Sequence, residues 1–356
     1  VLLSHEWLGG YQVGEPMLLK IGQTVFPRDD SLVIIDRRLF PHQVEETVCL
    51  DYESVAQAIE VMAVQGAGDI AVTAGYGLWL AAREIENRGE LTPDQVYAHM
   101  DKARQRLVTT RPTGFHIAIL LKNIMAKTNW NQYPWSNQIL SQIDTIIEKQ
   151  DTRSRLTGEW AETLLRDGDV VLTHCFPGAG LLYMFIKARQ NGKQVTAICT
   201  ETRPYLQGAR LTAWAVSELG IPVTLITDNM AAYCMSQGMV NKLITAADRI
   251  AMDGTVANKV GTLQLAIAAG YHSIPFYVLG YGGPDRNTKS AAEIPIELRD
   301  PEEVVSFNGV SITGAKVQGF YPAFDLTPAN LVTAIVTDRG ILSSSDVGSY
   351  WSNSAR

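Results

Sequence analysis

Beyond residue 169 the chain repeats one pattern. Apolar runs of strand length (170–173, 195–199, 223–227, 243–246 and 276–279) alternate with segments that fit helices (179–189, 208–219 and 259–269). Short apolar strands alternating with helices predict a parallel sheet covered on both faces, because the crossover connections bury it. In such a sheet, ligands collect beyond the carboxyl ends of the strands. The residues just after each run here are polar or glycine-rich: His174, Cys175, Phe176, Pro177 and Gly178; Thr200 to Arg203; Asp228 and Asn229; Asp248 and Arg249; Gly280 to Gly283. The second part of the chain is therefore where a site is expected.

The first 125 residues read instead as short strands followed by helices. Val55, Ile59 and Met62 share one stripe of a helix closed by Gly66, and 70–84 reads as a largely buried helix. Thr92, Pro93, Asp94 and Gln95 form a capping box with proline at the first helical position, so a helix starts there and runs to about residue 107. The polar, aromatic segment 129–137 reads as a boundary, with a helix over about 138–148 after it. Near the C-terminus, Thr327 and Pro328 predict another helix start and Gly340 its stop. The expected domains are 1–135 and 136–356. A length of 356 already favours two, since single cores stop growing near ~250–300 residues.

Charge and cysteine usage narrow the class. A net charge of −7 argues against a nucleic-acid or anionic-membrane partner. No apolar run approaches the ~18 residues of a membrane span. The first nine residues carry Glu6 and no basic region, which argues against a signal peptide. Cys49, Cys175, Cys199 and Cys234 lie far apart without a C-x-x-C, which disfavours a zinc ribbon and a disulfide framework and predicts reduced thiols in a cytoplasmic setting.

Among the candidates, Cys175 follows a strand and precedes a glycine-rich helix start, where free N–H groups and the helix dipole favour a thiolate. The same residue fits an inert buried cysteine. Asp248 ends an apolar run, where a carboxylate is raised toward the range useful for proton transfer, or else pairs with Arg249. Asn258, Lys259 and Thr262 read as a helix start able to hold a phosphate, although the spacing is not that of a P-loop. Gly66 and Ala67 fit an anion nest or a plain turn, and Arg111 a phosphate clamp or a surface cation. His116 and His174 are not at metal-ligand spacing and read as structural.

The order of these pieces is more specific than any one of them. Arg111-Pro112-Thr113, Thr173-His174-Cys175, the ETRPYLQGARLT stretch at 201–212, Thr227 to Met230, Ala247 to Ile250 and the VANKVGT stretch at 256–262 resemble the methylthioribose-1-phosphate isomerase family. That family is related to the regulatory subunits of translation initiation factor 2B and to ribose-1,5-bisphosphate isomerases. The resemblance runs from about residue 34 to 342. It implies an α/β chain with a smaller, mainly helical N-terminal domain and a Rossmann-like parallel-sheet C-terminal domain, the site between them, and a homodimer. It also implies conversion of an aldose 1-phosphate to a ketose 1-phosphate, with no metal and no cofactor. The family's catalytic positions fall on Cys175 and Asp248, and its substrate-binding positions on Gly66, Ala67, Arg111, Gln207, Asn258 and Lys259.

The chain departs from the family where Gln65 replaces an arginine, where Phe176 and Pro177 follow the cysteine, at His116, and in the loop 280–285. Catalytic positions are kept while their neighbours change, which points to an altered substrate. The reading is an isomerase of a 5-substituted or 5-deoxy pentose 1-phosphate of the S-methyl-5-thioribose 1-phosphate type, yielding the ribulose 1-phosphate. One alternative is a paralogue specific for 5-deoxyribose 1-phosphate. Another is a non-catalytic regulatory module like the initiation-factor subunits. A nicotinamide dehydrogenase fits worst, because no G-x-G-x-x-G follows any strand.

Overall fold

The computed structural model describes residues 15–88, 91–111 and 115–352. Within these residues the chain divides into two units, one covering 20–152 and the other 15–19 with 153–352.

The first unit opens with an antiparallel sheet of β1 (Val25–Arg28), β2 (Ser31–Ile35) and β3 (Glu46–Cys49), in that order. Five helices follow: α1 (Tyr52–Glu60), α2 (Ala67–Glu86), α3 (Pro93–Thr109), α4 (Phe115–Lys127) and α5 (Trp135–Glu162). Local chemistry sets the starts. Asp51 accepts from the Ser54 amide at 2.7 Å to cap α1, and Thr92 and Gln95 exchange backbone bonds across the first turn of α3. Helix α2 is buried around most of its circumference, as its apolar composition demands. It packs with Val55, Ile59, Met100, Leu107, Leu121, Ile139 and Ile143 into one core.

The predicted helix over 138–148 is α5, which is 28 residues long. The division between units falls inside it, at 152/153, and not at 135/136. The reason is packing: Ile139 and Ile143 are buried in the core of the first unit, which makes the aromatic segment before them an internal loop.

The second unit contains β4 (Val170–Thr173), α6 (Ala179–Gln190), β5 (Thr196–Thr200), α7 (Trp214–Glu218), β6 (Val223–Ile226), α8 (Ala231–Ser236), β7 (Lys242–Ala246), β8 (Arg249–Ile250), β9 (Val256–Lys259), α9 (Thr262–Tyr271) and β10 (Phe276–Tyr281). The chain continues through α10 (Glu302–Val305), the hairpin β11 (Ser306–Phe307) and β12 (Val310–Ser311), β13 (Phe324–Thr327), β14 (Ala334–Thr337) and β15 (Gly340–Leu342).

Seven strands form one sheet in the order β15-β14-β10-β7-β4-β5-β6, parallel except for β15 at the edge. The chain walks outward from β4 through β5 and β6, then returns to the other side of β4 and walks outward again through β7, β10 and β14. Right-handed crossovers on opposite sides of such a reversal lie on opposite faces of the sheet. Accordingly α6 packs beside α7, and α8 beside α9. At the amino end of the sheet a buried ion pair, Lys242 with Asp169, ties β7 to β4. A second, antiparallel sheet, β13-β9-β8, stands apart from the main one.

Two predicted helix starts lie elsewhere. Lys259 is still strand, and α9 begins at Thr262. Thr327 ends β13, Pro328 leads into a single turn (Ala329–Leu331), and the chain then enters β14. In both places pairing with a distant strand overrides a local cap pattern. The segment 208–219 is helical, but its first six residues (Gly208–Ala213) form a π-turn. No helix among the described residues is long and apolar enough to cross a membrane.

Candidate active site

The reversal of strand order lies between β4 and β7, and the residues just beyond those two strands include Cys175 and Asp248. Cys175 has φ of +61°, a left-handed backbone that costs a non-glycine residue energy. It persists because both of its backbone groups are held. Its amide donates to Thr202 Oγ1 at 2.9 Å, and its carbonyl accepts from Thr212 Oγ1 at 2.5 Å. Thr202 is held in turn by Asp228, which takes the amides of Thr202 (2.8 Å) and Arg203 (2.7 Å). The ends of β4, β5 and β6 are thus linked in series.

His174 is buried beneath this chain of bonds. Its Nε2 faces the Val260 carbonyl at 3.0 Å, and a carbonyl only accepts. Nε2 therefore carries the proton, and Nδ1 accepts from the Thr200 hydroxyl at 2.6 Å. Burial lowers its pKa below the ordinary value, against the pull of Asp228. A neutral, positioning histidine results.

The Cys175 thiol is pushed up to about 11, chiefly by burial. Lys259 and the Phe176 amide pull the other way, while Asp248 and Asp228 add to the rise. The thiolate expected from the helix dipole is therefore not the resting state; desolvation outweighs it. The N-terminus of α6 is also occupied. Tyr281 donates its hydroxyl to the Pro177 carbonyl and accepts from the Gly180 amide at 3.3 Å. A side chain at Gly180 would meet the Tyr281 ring at 2.8 Å. The two departing segments, 176–177 and 280–285, are therefore in direct contact.

Asp248 is half-buried, its amide bonded to the Ala257 carbonyl at 2.9 Å. Its charge is felt at the Cys175 thiol. Lys259, on buried β9, reaches the same thiol electrostatically and lies 4.9 Å from the Phe324 ring centre and 5.8 Å from that of Tyr321. Next to it, Asn258 donates to Thr262 Oγ1 at 2.9 Å. Gln207 is buried at the entry to the π-turn, its Oε1 without a hydrogen-bond partner among the described residues. The structure thus brings Cys175, Asp248 and Lys259 together.

The start of α9 is not an empty anion nest. Asp325 takes the amides of Gly261 (2.7 Å) and Leu263 (3.2 Å). Burial still raises Asp325 to about 6, against those two amides and Lys259. This carboxylate escaped the sequence because its partners lie more than 60 positions away. Between its unfolded value near 3.8 and 6 the folded state binds the extra proton, so stability falls as pH rises through that window, by up to about 3 kcal/mol. Urea unfolding of the wild type and Asp325→Asn at pH 4.5 and pH 7 is expected to show the wild type losing stability relative to the variant at pH 7.

Gly66, Ala67 and Arg111 lie in the first unit. Gly66 caps α2 with φ of +101°, Ala67 begins the helix, and Arg111 donates to the Met62 sulfur at 2.8 Å. Gln65 bonds the Met62 carbonyl at 3.2 Å, so Arg111 and Gly66 flank one turn. Under that turn is a cation that the sequence pattern did not single out. Arg37, fully buried, pairs with Asp69 at 2.7 Å, Thr24 at 2.7 Å and the Gln65 carbonyl. Pro112 and Thr113 lie outside the described residues.

A family model described as the initiation factor 2 subunit family matches residues 63–344. The chain belongs to that family. Among curated proteins, the methylthioribose-1-phosphate isomerase of Chloroflexus aurantiacus is 41% identical over 332 residues, 90% of this chain and 95% of the relative. That of Fervidobacterium nodosum is 40% identical over 323 residues, 88% and 92% of the two chains. Among solved structures, the 5-methylthioribose 1-phosphate isomerase of Pyrococcus horikoshii aligns with a TM-score of 0.83 at 32% identity, covering 96% of this chain and 99% of that one. The translation initiation factor eIF-2B delta subunit of A. fulgidus gives 0.79 at 35%, covering 92% and 99%. This chain is thus similar both to proteins named as isomerases and to a protein named as a translation initiation factor subunit.

Proposed function

We propose that this chain is a sugar-phosphate isomerase that converts a 5-substituted or 5-deoxy pentose 1-phosphate to the ribulose 1-phosphate. The observation that carries the reading is the meeting of Cys175, Asp248 and Lys259 at the reversal of strand order, where ligands of such sheets bind. The similarity to proteins named as methylthioribose-1-phosphate isomerases supports it. A purely regulatory module has no use for a thiol held in a costly backbone conformation beside a carboxylate.

The proposed chemistry begins with ring opening. Asp248, as the acid, gives a proton to the ring oxygen as the bond from that oxygen to C1 breaks. Hydrogen then moves from C2 to C1, and the C2 hydroxyl loses its proton to leave the ketone; one proton enters and one departs. A thiol held near 11 is not a resting base. This favours a hydride shift from C2 to C1 over abstraction of the C2 proton; the Asp248 carboxylate left by ring opening recovers the C2 hydroxyl proton through the Cys175 thiol, which gives up its own proton as it receives one. The proposed substrate contacts are those the family resemblance implies: Gly66, Ala67, Arg111, Gln207, Asn258 and Lys259. Buried Lys259 supplies charge for the phosphate. The proposal includes a cytoplasmic homodimer; Leu225 on edge strand β6, and Met230 and Tyr233 that follow it in the chain, are exposed apolar side chains suited to self-association.

The test is turnover of methylthioribose 1-phosphate and 5-deoxyribose 1-phosphate in D₂O, on protein whose mass is first measured by sedimentation. Turnover of either substrate, without deuterium at C1 of the product, is the expected result. Deuterium at C1 would replace the hydride route by proton transfer. No turnover of either, with capture into an assembly of unlike subunits, would replace the isomerase by the regulatory reading.

A further inference from the structure

Two phenols lie side by side near Lys259, and only one is satisfied. The Tyr205 and Tyr321 ring centres are 6.4 Å apart. The Tyr205 hydroxyl accepts from Arg299 Nη2 at 2.6 Å and donates to Glu303 Oε1 at 2.9 Å. The Tyr321 hydroxyl is buried, in a residue only 3% exposed, and has no hydrogen-bond partner among the described residues. Leaving a buried hydroxyl unpaired is costly, and native structures rarely do it without a reason. The residue is not loosely placed: its carbonyl accepts from the Arg299 amide at 2.9 Å, and its ring lies under the Lys259 ammonium. Cys175 lies near enough that its ionised form would be felt at the Tyr321 phenol. Burial raises that phenol further above its ordinary range, so at neutral pH it carries its proton and is a donor.

We propose that Tyr321 is a further substrate-binding residue, whose hydroxyl donates to an oxygen of the bound sugar phosphate beside Cys175 and Lys259. The inference rests on the isomerase reading above. It assigns the unpaired donor a partner that arrives with the ligand. A site built around a hydrogen bond to an oxygen also discriminates against analogues lacking that oxygen, so Tyr321 contributes to selectivity as well as affinity.

The experiment compares Tyr321→Phe with the wild type and with Tyr205→Phe, by steady-state kinetics and thermal unfolding. For the aldose 1-phosphate that the wild type turns over, Tyr321→Phe is expected to lower kcat/KM about tenfold, mainly through KM. The same variant is expected to keep or raise the unfolding midpoint, because it removes an unsatisfied buried hydroxyl. Tyr205→Phe, which breaks two bonds, is expected to lower the midpoint. Unchanged kcat/KM in Tyr321→Phe would overturn the inference and leave the isomerase standing. A fall in midpoint alongside the loss of activity would show a structural role and overturn it too. A wild type that turns over no aldose 1-phosphate would remove both readings together.

Discussion

Cys175→Ser is expected to lower kcat by about 10²- to 10⁴-fold, and Asp248→Asn by the same order, with KM little changed in either. Both substitutions nearly preserve shape. The backbone around residue 175 is held through its amide and carbonyl by Thr202 and Thr212, and those bonds survive replacement of sulfur by oxygen. What changes is proton chemistry: a hydroxyl is a far weaker acid than a thiol, and an amide cannot give up or accept the proton a carboxylate handles. Steady-state kinetics with circular dichroism as the fold control measures this. Because the two groups serve one reaction, the double variant is expected to fall well short of the product of the single losses. Either single variant retaining more than a tenth of the wild-type kcat would remove that residue from the chemistry.

Gly208→Ala is expected to be among the most disruptive single methyl groups in the second unit. A Cβ at this position would stand 1.9 Å from the Thr200 carbonyl oxygen and 2.8 Å from Thr202 Oγ1. Neither is the flexible end of a side chain able to swing away. The π-turn Gly208–Ala213 can lie against the end of β5 only because residue 208 has no side chain. Overpacking usually costs about 1–3 kcal/mol, and a clash with backbone belongs at the top of that range or above it. The displacement also runs through Thr202 to the Cys175 amide. Loss of stability in guanidinium unfolding and loss of turnover are therefore expected together. A variant as stable and as active as the wild type would show that the turn has room the distances deny.

The parallel sheet was legible because its strands are short apolar runs ending in chemistry: β4 occupies the stretch read as strand, 170–173, and Cys175 and Asp248 were visible as strand-end residues. Less legible was whatever depends on pairing across long separations. Asn258 and Lys259 are poor strand formers, and their place in β9 is set by β13, some 65 positions later. Asp325, which fills the start of α9, belongs to that same distant strand. The second half of α5 is polar enough to have lost its helical stripe to inspection, yet it remains helix to Glu162. Tyr321 and Arg37 gave no local signal, since a tyrosine or arginine in a sequence does not disclose whether folding will bury it. Gly66, Ala67 and Arg111 were each visible as anion-site candidates, but their place about one turn was not, since spacing does not join residues 45 apart.

The strand order also bears on when the protein becomes competent. Cys175 and Asp248 stand 73 positions apart, and the segment from β4 to β6 can pair within itself without the carboxylate. Asp248 arrives only when β7 docks on the remaining edge of β4, with Val171 opposite Lys242 and Leu172 opposite Leu243, and with the Lys242–Asp169 pair closing the far end. Closing so long a loop is entropically costly and is repaid late in assembly. A half-folded chain without β7 in place therefore carries Cys175 without its carboxylate partner, and the pairing of thiol and carboxylate is a property of the finished sheet.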